Sequence, residues 1–157
     1  MRSLRSRDQG FTIVELLIVI VVIGVLALLV ITVYTGIQSK ARNARRTADV
    51  KSLQTQLEAF FSQNGYYPSR TDLNTAAFLT ANMKSLDQVA LIDPSNGTQS
   101  KTLVATPVAK SFSYAVFQAD GVTSCEALDT WCAVYSLTAT YEGTVNGSAT
   151  VIARNLN

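Results

Sequence analysis

The sequence predicts an α+β fold, in which one long N-terminal α-helix packs on a small antiparallel β-sheet of three or four strands. Three observations predict it. The chain has no charged residue from Leu16 to Ser39, and it has no proline or glycine from there to Gln63. Its C-terminal part then contains three segments that alternate between apolar and polar residues. The first two stretches are typical of helix and the last of sheet, because the two structures repeat with different periods.

The first half of the predicted helix is long enough to cross a membrane. About 20 apolar residues at about 1.5 Å each span a bilayer core of about 30 Å. The run is also longer than the apolar core of a secretory signal, and no cleavage site of the A-x-A type follows it. One carboxylate, Glu15, stands at its start. A charge in a membrane segment normally has a partner, so Glu15 is a candidate functional residue.

The second half of the helix is predicted to be amphipathic. Its apolar residues recur mainly at spacings of three and four, which places them on one face. The Asn64-Gly65 pair and Pro68 predict its end, since glycine readily adopts positive φ and proline cannot continue a helix. Arg45 and Asp49 are spaced for an ion pair on its surface. The residues assigned to the apolar face are Ala41, Ala44, Ala48, Leu53, Leu57, Phe60 and Phe61.

The remainder of the chain is predicted to form the sheet and its connections. A short helix is expected after Asn74 or Thr75, and one more helical turn after Asp87, because these side chains can cap a helix. The strands are predicted at 112–118, 133–142 and 149–154, and the segment GTVNGS between the last two is typical of a hairpin turn.

Composition and charge exclude several classes of protein. The chain has 13 basic and 11 acidic residues, and without residues 1–10 the two kinds are equal in number, which argues against a general nucleic-acid binder. It has no histidine, which is the commonest general base and transition-metal ligand. We recognise no nucleophile elbow, phosphate loop or metal motif. The sequence therefore predicts that the protein is not an enzyme.

The N-terminus resembles a known processing signal. The basic leader MRSLRSRDQ, then Gly10, Phe11 and Thr12, then Glu15 and the apolar run, are similar to the class III signal of type IV pilins and pseudopilins. The segment KARNARRTADVKSLQTQLEAFFSQNGYYPS resembles the corresponding part of bacterial pilins and major pseudopilins. This resemblance implies that a prepilin peptidase cuts between Gly10 and Phe11 and methylates the new N-terminus. It also implies a leader at 1–10, a transmembrane and filament-core helix at 11–38, and an amphipathic helix with a globular head at 39–157.

The same resemblance implies a function in assembly. In this family the Glu15 carboxylate would pair with the amine of Phe11, in its own or a neighbouring subunit, and set the register of docking. We therefore expect a type IV pilin-like structural subunit that forms a helical surface filament. Its partners would be copies of itself, related pilins, the prepilin peptidase, the pilus assembly machinery and, before assembly, the lipid bilayer of the cytoplasmic membrane. The alternatives are a pseudopilin of a type II secretion or competence system, and a membrane-anchored binding domain that does not polymerise.

One position departs from the family pattern. Thr32 stands where many pilins have a proline that breaks the helix. The departure leaves two possibilities, a continuous helix or a weak point at Gly36, since glycine costs about 1 kcal/mol within a helix.

Two cysteines and a group of carboxylates lie near the C-terminal strands. In an exported domain Cys125 and Cys132 are expected to form a local disulfide, with two buried thiols as the alternative. A zinc site is disfavoured, because the chain supplies too few ligands. Asp120, Glu126 and Asp129 lie in one predicted loop, and some major pseudopilins bind calcium near their C-terminal loops. The spacing is not that of an EF-hand, so no cofactor is predicted and calcium is the alternative.

A basic cluster follows the apolar run. Lys40, Arg42, Arg45 and Arg46 are expected to reach lipid headgroups, because long cationic side chains extend along apolar surface toward water. Contacts with DNA or with other subunits are the alternatives.

Overall fold

The computed structural model describes residues 10–97, 100–125 and 131–156. Its helices are α1 (Ile13–Asn64), α2 (Arg70–Leu73) and α3 (Ala76–Asn82), with a 3₁₀ turn at Gln88–Leu91, and its strands are β1 (Phe112–Phe117), β2 (Val134–Val145) and β3 (Ser148–Arg154). The predicted α+β fold is confirmed. The chain divides into two compact units, one ending at Gln38 and the other beginning at Ser39.

The three described strands form one antiparallel sheet in the order β1-β2-β3. Phe112 pairs with Ala139, and Leu137 pairs with Ala153. Asn146 and Gly147 form the turn between β2 and β3, with φ of 51° and 82°. Positive φ at both residues is the requirement of a type I′ hairpin turn, and Asn-Gly is its preferred sequence.

α1 is continuous through Thr32 and Gly36. The substitution of the family proline by Thr32 therefore leaves the helix unbroken.

The predicted end of α1 is also confirmed. Gly65 has φ of 79°, and its N–H donates to the Phe61 carbonyl at 2.7 Å. This is how glycine commonly closes a helix.

The buried face of α1 agrees with the prediction at Leu53, Leu57 and Phe60 and differs from it in the preceding turns. Ala41, Ala44 and Ala48 are exposed, whereas Asn43 and Arg46 are buried. The prediction followed apolar residues alone, but alanine is tolerated on either face. The buried positions recur at spacings of three and four, and polar residues occupy the first two of them. They are Asn43, Arg46, Val50, Leu53, Leu57 and Phe60.

The core of the second unit lies between this face of α1 and the sheet. Its centre is aromatic. The ring of Tyr67 stacks on Phe61 with centroids 4.5 Å apart and meets Tyr135 edge-on at 4.7 Å. Tyr114 is completely buried beside them, and its hydroxyl donates to the Pro68 carbonyl at 2.8 Å.

Side-chain caps fix the connection between α1 and β1. Ser69 and Asp72 form a capping box that starts α2, an element that the sequence analysis missed. Asn74 bonds both backbone groups of Leu103, at 2.7 and 3.0 Å, instead of capping α3. The expected cap of Asp87 is confirmed, since its carboxylate accepts the Val89 N–H at 2.9 Å.

The predicted disulfide is not formed. Cys125 and Cys132 are separate thiols, buried at 1% and 0% exposure, as the alternative proposed. Backbone bonds hold both positions, since the Cys125 N–H donates to Val116 and the Cys132 carbonyl accepts from Tyr67. Each side chain then fills its own part of the core. Cysteine spacing alone could not distinguish this packing from a bridge.

Candidate functional site

The start of α1 is a capping box built from Thr12 and Glu15. The Glu15 N–H donates to the Thr12 hydroxyl oxygen at 3.3 Å. In return, Glu15 Oε2 accepts the backbone N–H of Thr12 at 2.9 Å and its hydroxyl at 2.8 Å. The T-x-x-E spacing is the signal of this motif, and the sequence analysis missed it. Gly10 and Phe11 are exposed and precede the helix.

The apolar part of α1 has no cover within its own chain. Its large apolar side chains from Phe11 to Ile37 are between 50% and 88% exposed, where the structure describes them. Soluble monomers rarely expose a contiguous apolar surface of this extent. By length and composition this helix can cross a membrane. It therefore requires lipid or other helices around it.

A buried ion pair fixes the second unit. Arg46 donates through Nε and Nη2 to the two oxygens of Asp93, at 2.7 and 2.8 Å. The same guanidinium reaches Asn43 and Ser95 at 2.7 and 2.6 Å, and Glu142 at 3.1 Å. The side chains of Arg46 and Asp93 are 1% and 0% exposed. Two-point contacts of this kind have strong geometric preference.

The basic cluster is thus split, and its predicted role at lipid headgroups is wrong for Arg46. Arg42 binds both oxygens of Glu142, at 2.7 and 2.6 Å. Arg45 forms the predicted surface pair with Asp49, at 3.5 Å. Lys40 is exposed. The carboxylates at positions 93 and 142 lie far from the cluster in sequence, so local patterning could not reveal them.

Burial and partners determine the ionisation of this network. Burial opposes the charged form of Asp93, but hydrogen bonds from Arg46 and Ser95 outweigh it and hold the pKa of Asp93 below its usual range. Asp49 shows the opposite balance, because burial outweighs Arg45 and raises the pKa of Asp49. Hydrogen bonds from Arg42 lower the pKa of Glu142.

Polar side chains of α1 also bind the backbone of the sheet. Asn43 accepts the Glu142 N–H at 2.9 Å and donates to its carbonyl at 3.1 Å. Gln54 donates to the Arg154 carbonyl at 2.8 Å. One turn further, Glu58 accepts the Tyr67 and Tyr135 hydroxyls, both at 2.9 Å. These contacts set the register between the helix and the sheet.

The candidate calcium ligands lie only partly within the described residues. Asp120 accepts the N–H groups of Val122 and Thr123, both at 2.9 Å, and the Thr123 hydroxyl. Its carboxylate thus stabilises the turn in which it lies. Glu126 and Asp129 lie outside the described residues.

Comparison with known proteins gives one family match and several relatives. Residues 5–31 match the prokaryotic N-terminal methylation motif. Type II secretion system core protein G of Dickeya chrysanthemi is 36% identical over 66 residues, which are 42% of this chain and 43% of that protein. The core protein G of Pectobacterium carotovorum subsp. carotovorum is 38% identical over 74 residues, 47% of each chain.

A pilin is also among the relatives. Type IV major pilin protein PilA of Myxococcus xanthus is 34% identical over 61 residues, 39% of this chain and 28% of that protein. The chain thus spans less than half the length of these three curated relatives. No solved structure matches the chain significantly. In its methylation motif and over the aligned residues, the chain is therefore similar to type II secretion core proteins G and to a type IV pilin.

Proposed function

We propose that the protein is a structural subunit that is made as a membrane precursor, trimmed after Gly10 and assembled into a helical filament. The observation that carries the proposal is the uncovered apolar part of α1, which begins at a capped turn bearing Glu15. Such a helix leaves lipid only where other apolar helices replace the lipid contacts. Contacts between unlike surfaces that do not close into a ring then produce a filament.

Among filaments, a type II secretion pseudopilus is favoured over a surface pilus. Core protein G of Dickeya chrysanthemi and that of Pectobacterium carotovorum subsp. carotovorum are 36% and 38% identical to this chain over the aligned residues. The similarity to the pilin of Myxococcus xanthus supports the second candidate, a type IV pilus subunit. Deleting the gene separates the two. Loss of exported enzymes with surface pili unchanged supports the pseudopilus, and loss of surface pili with secretion unchanged supports the pilus.

Processing is tested by the mass of the mature chain. We expect the chain recovered from cells to begin at Phe11 and to carry one methyl group on its amine. The leader Arg2–Gly10, together with Met1, would be absent. A chain that retains its leader in assembled filaments contradicts the proposal.

Docking is tested by two substitutions of Glu15. Glutamine keeps a side-chain oxygen that can accept the Thr12 N–H and hydroxyl, so Glu15→Gln preserves the capping box and removes only the charge. Alanine removes both. If the carboxylate binds the amine of Phe11 on a neighbouring subunit, both variants lose filaments, because an apolar environment strongly favours paired over unpaired charge.

The two variants also separate docking from capping. Filaments that survive Glu15→Gln but not Glu15→Ala would show that Glu15 acts as a helix cap alone. Both variants should still be found in the membrane fraction, which confirms that they are made and inserted. The measurement is the amount of sheared filament relative to the membrane pool.

A further inference from the structure

A groove of about 600 Å³ runs between α1 and the outer strand β3. Val50 lies in it, and Ile152 and Leu156 line it while remaining 51% and 70% exposed. Lys51 and Arg154 are exposed and line the same groove, and no carboxylate is among its lining residues. The groove therefore combines apolar contact surface with two cations, of which Lys51 also donates to the Gln54 side chain at 3.1 Å.

The backbone of β3 is partly occupied at this edge. The Ser148 hydroxyl donates to the Thr150 carbonyl at 2.6 Å and accepts the Thr150 N–H at 3.3 Å. The side-chain amide of Gln54 donates a hydrogen bond to the Arg154 carbonyl. Side chains on an edge strand commonly prevent an added strand from pairing there. The groove is thus suited to a compact apolar and acidic element, recognised by side chains.

The chain presents such an element at the end of β1. Val122 is 79% exposed at the tip of the turn 120–123. Backbone conformation and hydrogen bonds fix this turn. Gly121 has φ of 69°, and the Gln118 N–H donates to the Thr123 carbonyl at 2.9 Å. The Asp120 carboxylate accepts the N–H groups of Val122 and Thr123. Hydrogen bonds from Thr123 and Val122 hold the pKa of Asp120 below its usual range, so it is charged at neutral pH. The whole connection 118–133 contains three acidic residues and no lysine or arginine.

The groove and the turn lie at different levels along α1. The groove lies at the level of Gln54, which bonds the Arg154 carbonyl. The turn follows Phe117, which pairs with Val134 at the start of β2. Nearby, the Cys132 carbonyl accepts the N–H of Tyr67, a residue beyond the end of α1. Lys51 is roughly 20 Å along the helix from that end, at about 1.5 Å per residue. Parallel copies that share this contact are offset along their helices, and the contact can repeat without closing.

From these features, and resting on the filament proposed above, we propose that the turn 120–123 of one copy docks in the α1–β3 groove of the next. Val122 packs against Ile152 and Leu156, and Asp120 lies near Lys51 and Arg154. Charge complementarity of this kind fixes register and suppresses wrong pairings. A nucleic acid is the less suitable occupant, because the groove offers two cations and no aromatic side chain for base stacking.

Cross-linking of the full chain in cells tests the contact directly. In Val122→Cys/Ile152→Cys every copy carries both halves of the contact, so a bismaleimide should give a ladder of dimers, trimers and larger species. Each single variant should give none. Cys125 and Cys132 are at most 1% exposed and are shielded from the reagent. The control is Val108→Cys/Ile152→Cys, which moves the first thiol to a 46% exposed valine outside the turn.

The outcomes separate this inference from the proposed function. Filaments that form normally in Val122→Cys/Ile152→Cys but give no ladder, or a ladder no stronger than the control, overturn the docking contact and leave the filament intact. Dimers without larger species also overturn it, because they indicate a closed pair. If the unsubstituted chain forms no filament, the proposed function itself fails.

Charge reversal provides an independent test. Lys51→Glu/Arg154→Glu should reduce sheared filament by at least about tenfold, because like charges would then face each other. Lys84→Glu/Lys101→Glu makes the same change in net charge at two other exposed lysines and should have little effect. An equal effect of both pairs overturns the contact. So does normal filament yield combined with loss of binding to a short single-stranded DNA in Lys51→Glu/Arg154→Glu, which would assign the groove to nucleic acid.

Discussion

Replacing Arg46 by methionine should destabilise the second unit more than any change at its surface. Methionine fills much of the same volume but cannot hydrogen-bond. Asp93 would lose its two-point contact at 2.7 and 2.8 Å, and it would remain buried while the Ser95 N–H and hydroxyl still donate to it. Asn43 and Glu142 would each lose one bond as well.

The expected loss follows from burial. Removing one member of a buried ion pair leaves an uncompensated charge and costs about 3–5 kcal/mol. Arg45, the preceding residue on α1, provides the matched control. Its pair with Asp49 is 3.5 Å long and its side chain is 49% exposed, so Arg45→Met should cost less than about 0.5 kcal/mol. Both changes remove one positive charge from the same helical turn.

The assay is urea unfolding of the full chain in detergent micelles. Near-ultraviolet circular dichroism follows the buried tyrosines, which lose their fixed environment when the second unit unfolds. They are Tyr67, Tyr114 and Tyr135. The midpoint should fall strongly for Arg46→Met and little for Arg45→Met, with similar slopes, because the surface exposed on unfolding is nearly unchanged.

The double variant Arg46→Met/Asp93→Leu extends the test. It removes both charges, so its loss should be smaller than the sum of the two single losses. A loss below about 1 kcal/mol for Arg46→Met, or one no larger than that of Arg45→Met, would refute the view that this buried pair fixes the second unit.

Three further predictions concern the stability of the fold. The pKa of Asp93 is lower in the folded state than in the unfolded state. The Asp93 carboxylate therefore stabilises the fold fully above its unfolded-state pKa, and this contribution is lost as the pH falls through its folded-state pKa. Acid unfolding should accordingly occur at higher pH in Asp93→Asn. The raised pKa of Asp49 means that its charged form destabilises the fold. One of its carboxylate oxygens is also buried without a hydrogen bond within the described residues. Asp49→Ala should therefore increase the free energy of unfolding by about 1 kcal/mol at pH 7 and by less at pH 4, as urea titrations at the two pH values can measure. Gly65→Ala should cost about 1–2 kcal/mol in thermal unfolding, because alanine is strained at φ of 79°, whereas Gly36→Ala should cost nothing.

The sequence predicted the elements better than the contacts between them. The long α1, its end at Gly65 and the three strands follow from periodicity and turn chemistry, which are local properties. The sequence left open whether α1 is continuous at Thr32 and Gly36. The strand at 149–154 and the Asn-Gly turn before it were recognisable for the same reason. α2 was missed, because four residues are too few to show a period.

The polar anchor of the head could not be predicted in the same way. Arg46 was assigned to lipid headgroups because its neighbours in sequence are basic. Its partners Asp93 and Glu142 are brought to it only by the tertiary fold. One signal was available: Asn43, Arg46, Val50, Leu53 and Leu57 repeat at spacings of three and four, and so place two polar residues on the buried face. A hydrophobic pattern that ignores polar residues cannot detect this.

The position of the first helical residue has a consequence for proteolysis. α1 begins at Ile13, and residues 10–12 lie outside it, with the Thr12 carbonyl accepting the first helical bond from the Leu16 N–H at 3.2 Å. In the proposed processing, the Gly10–Phe11 bond therefore reaches the peptidase without unwinding of α1. Thr12 ends the helix on that side, and a substitution that extended α1 across Gly10 should slow maturation even with both residues at the cut unchanged.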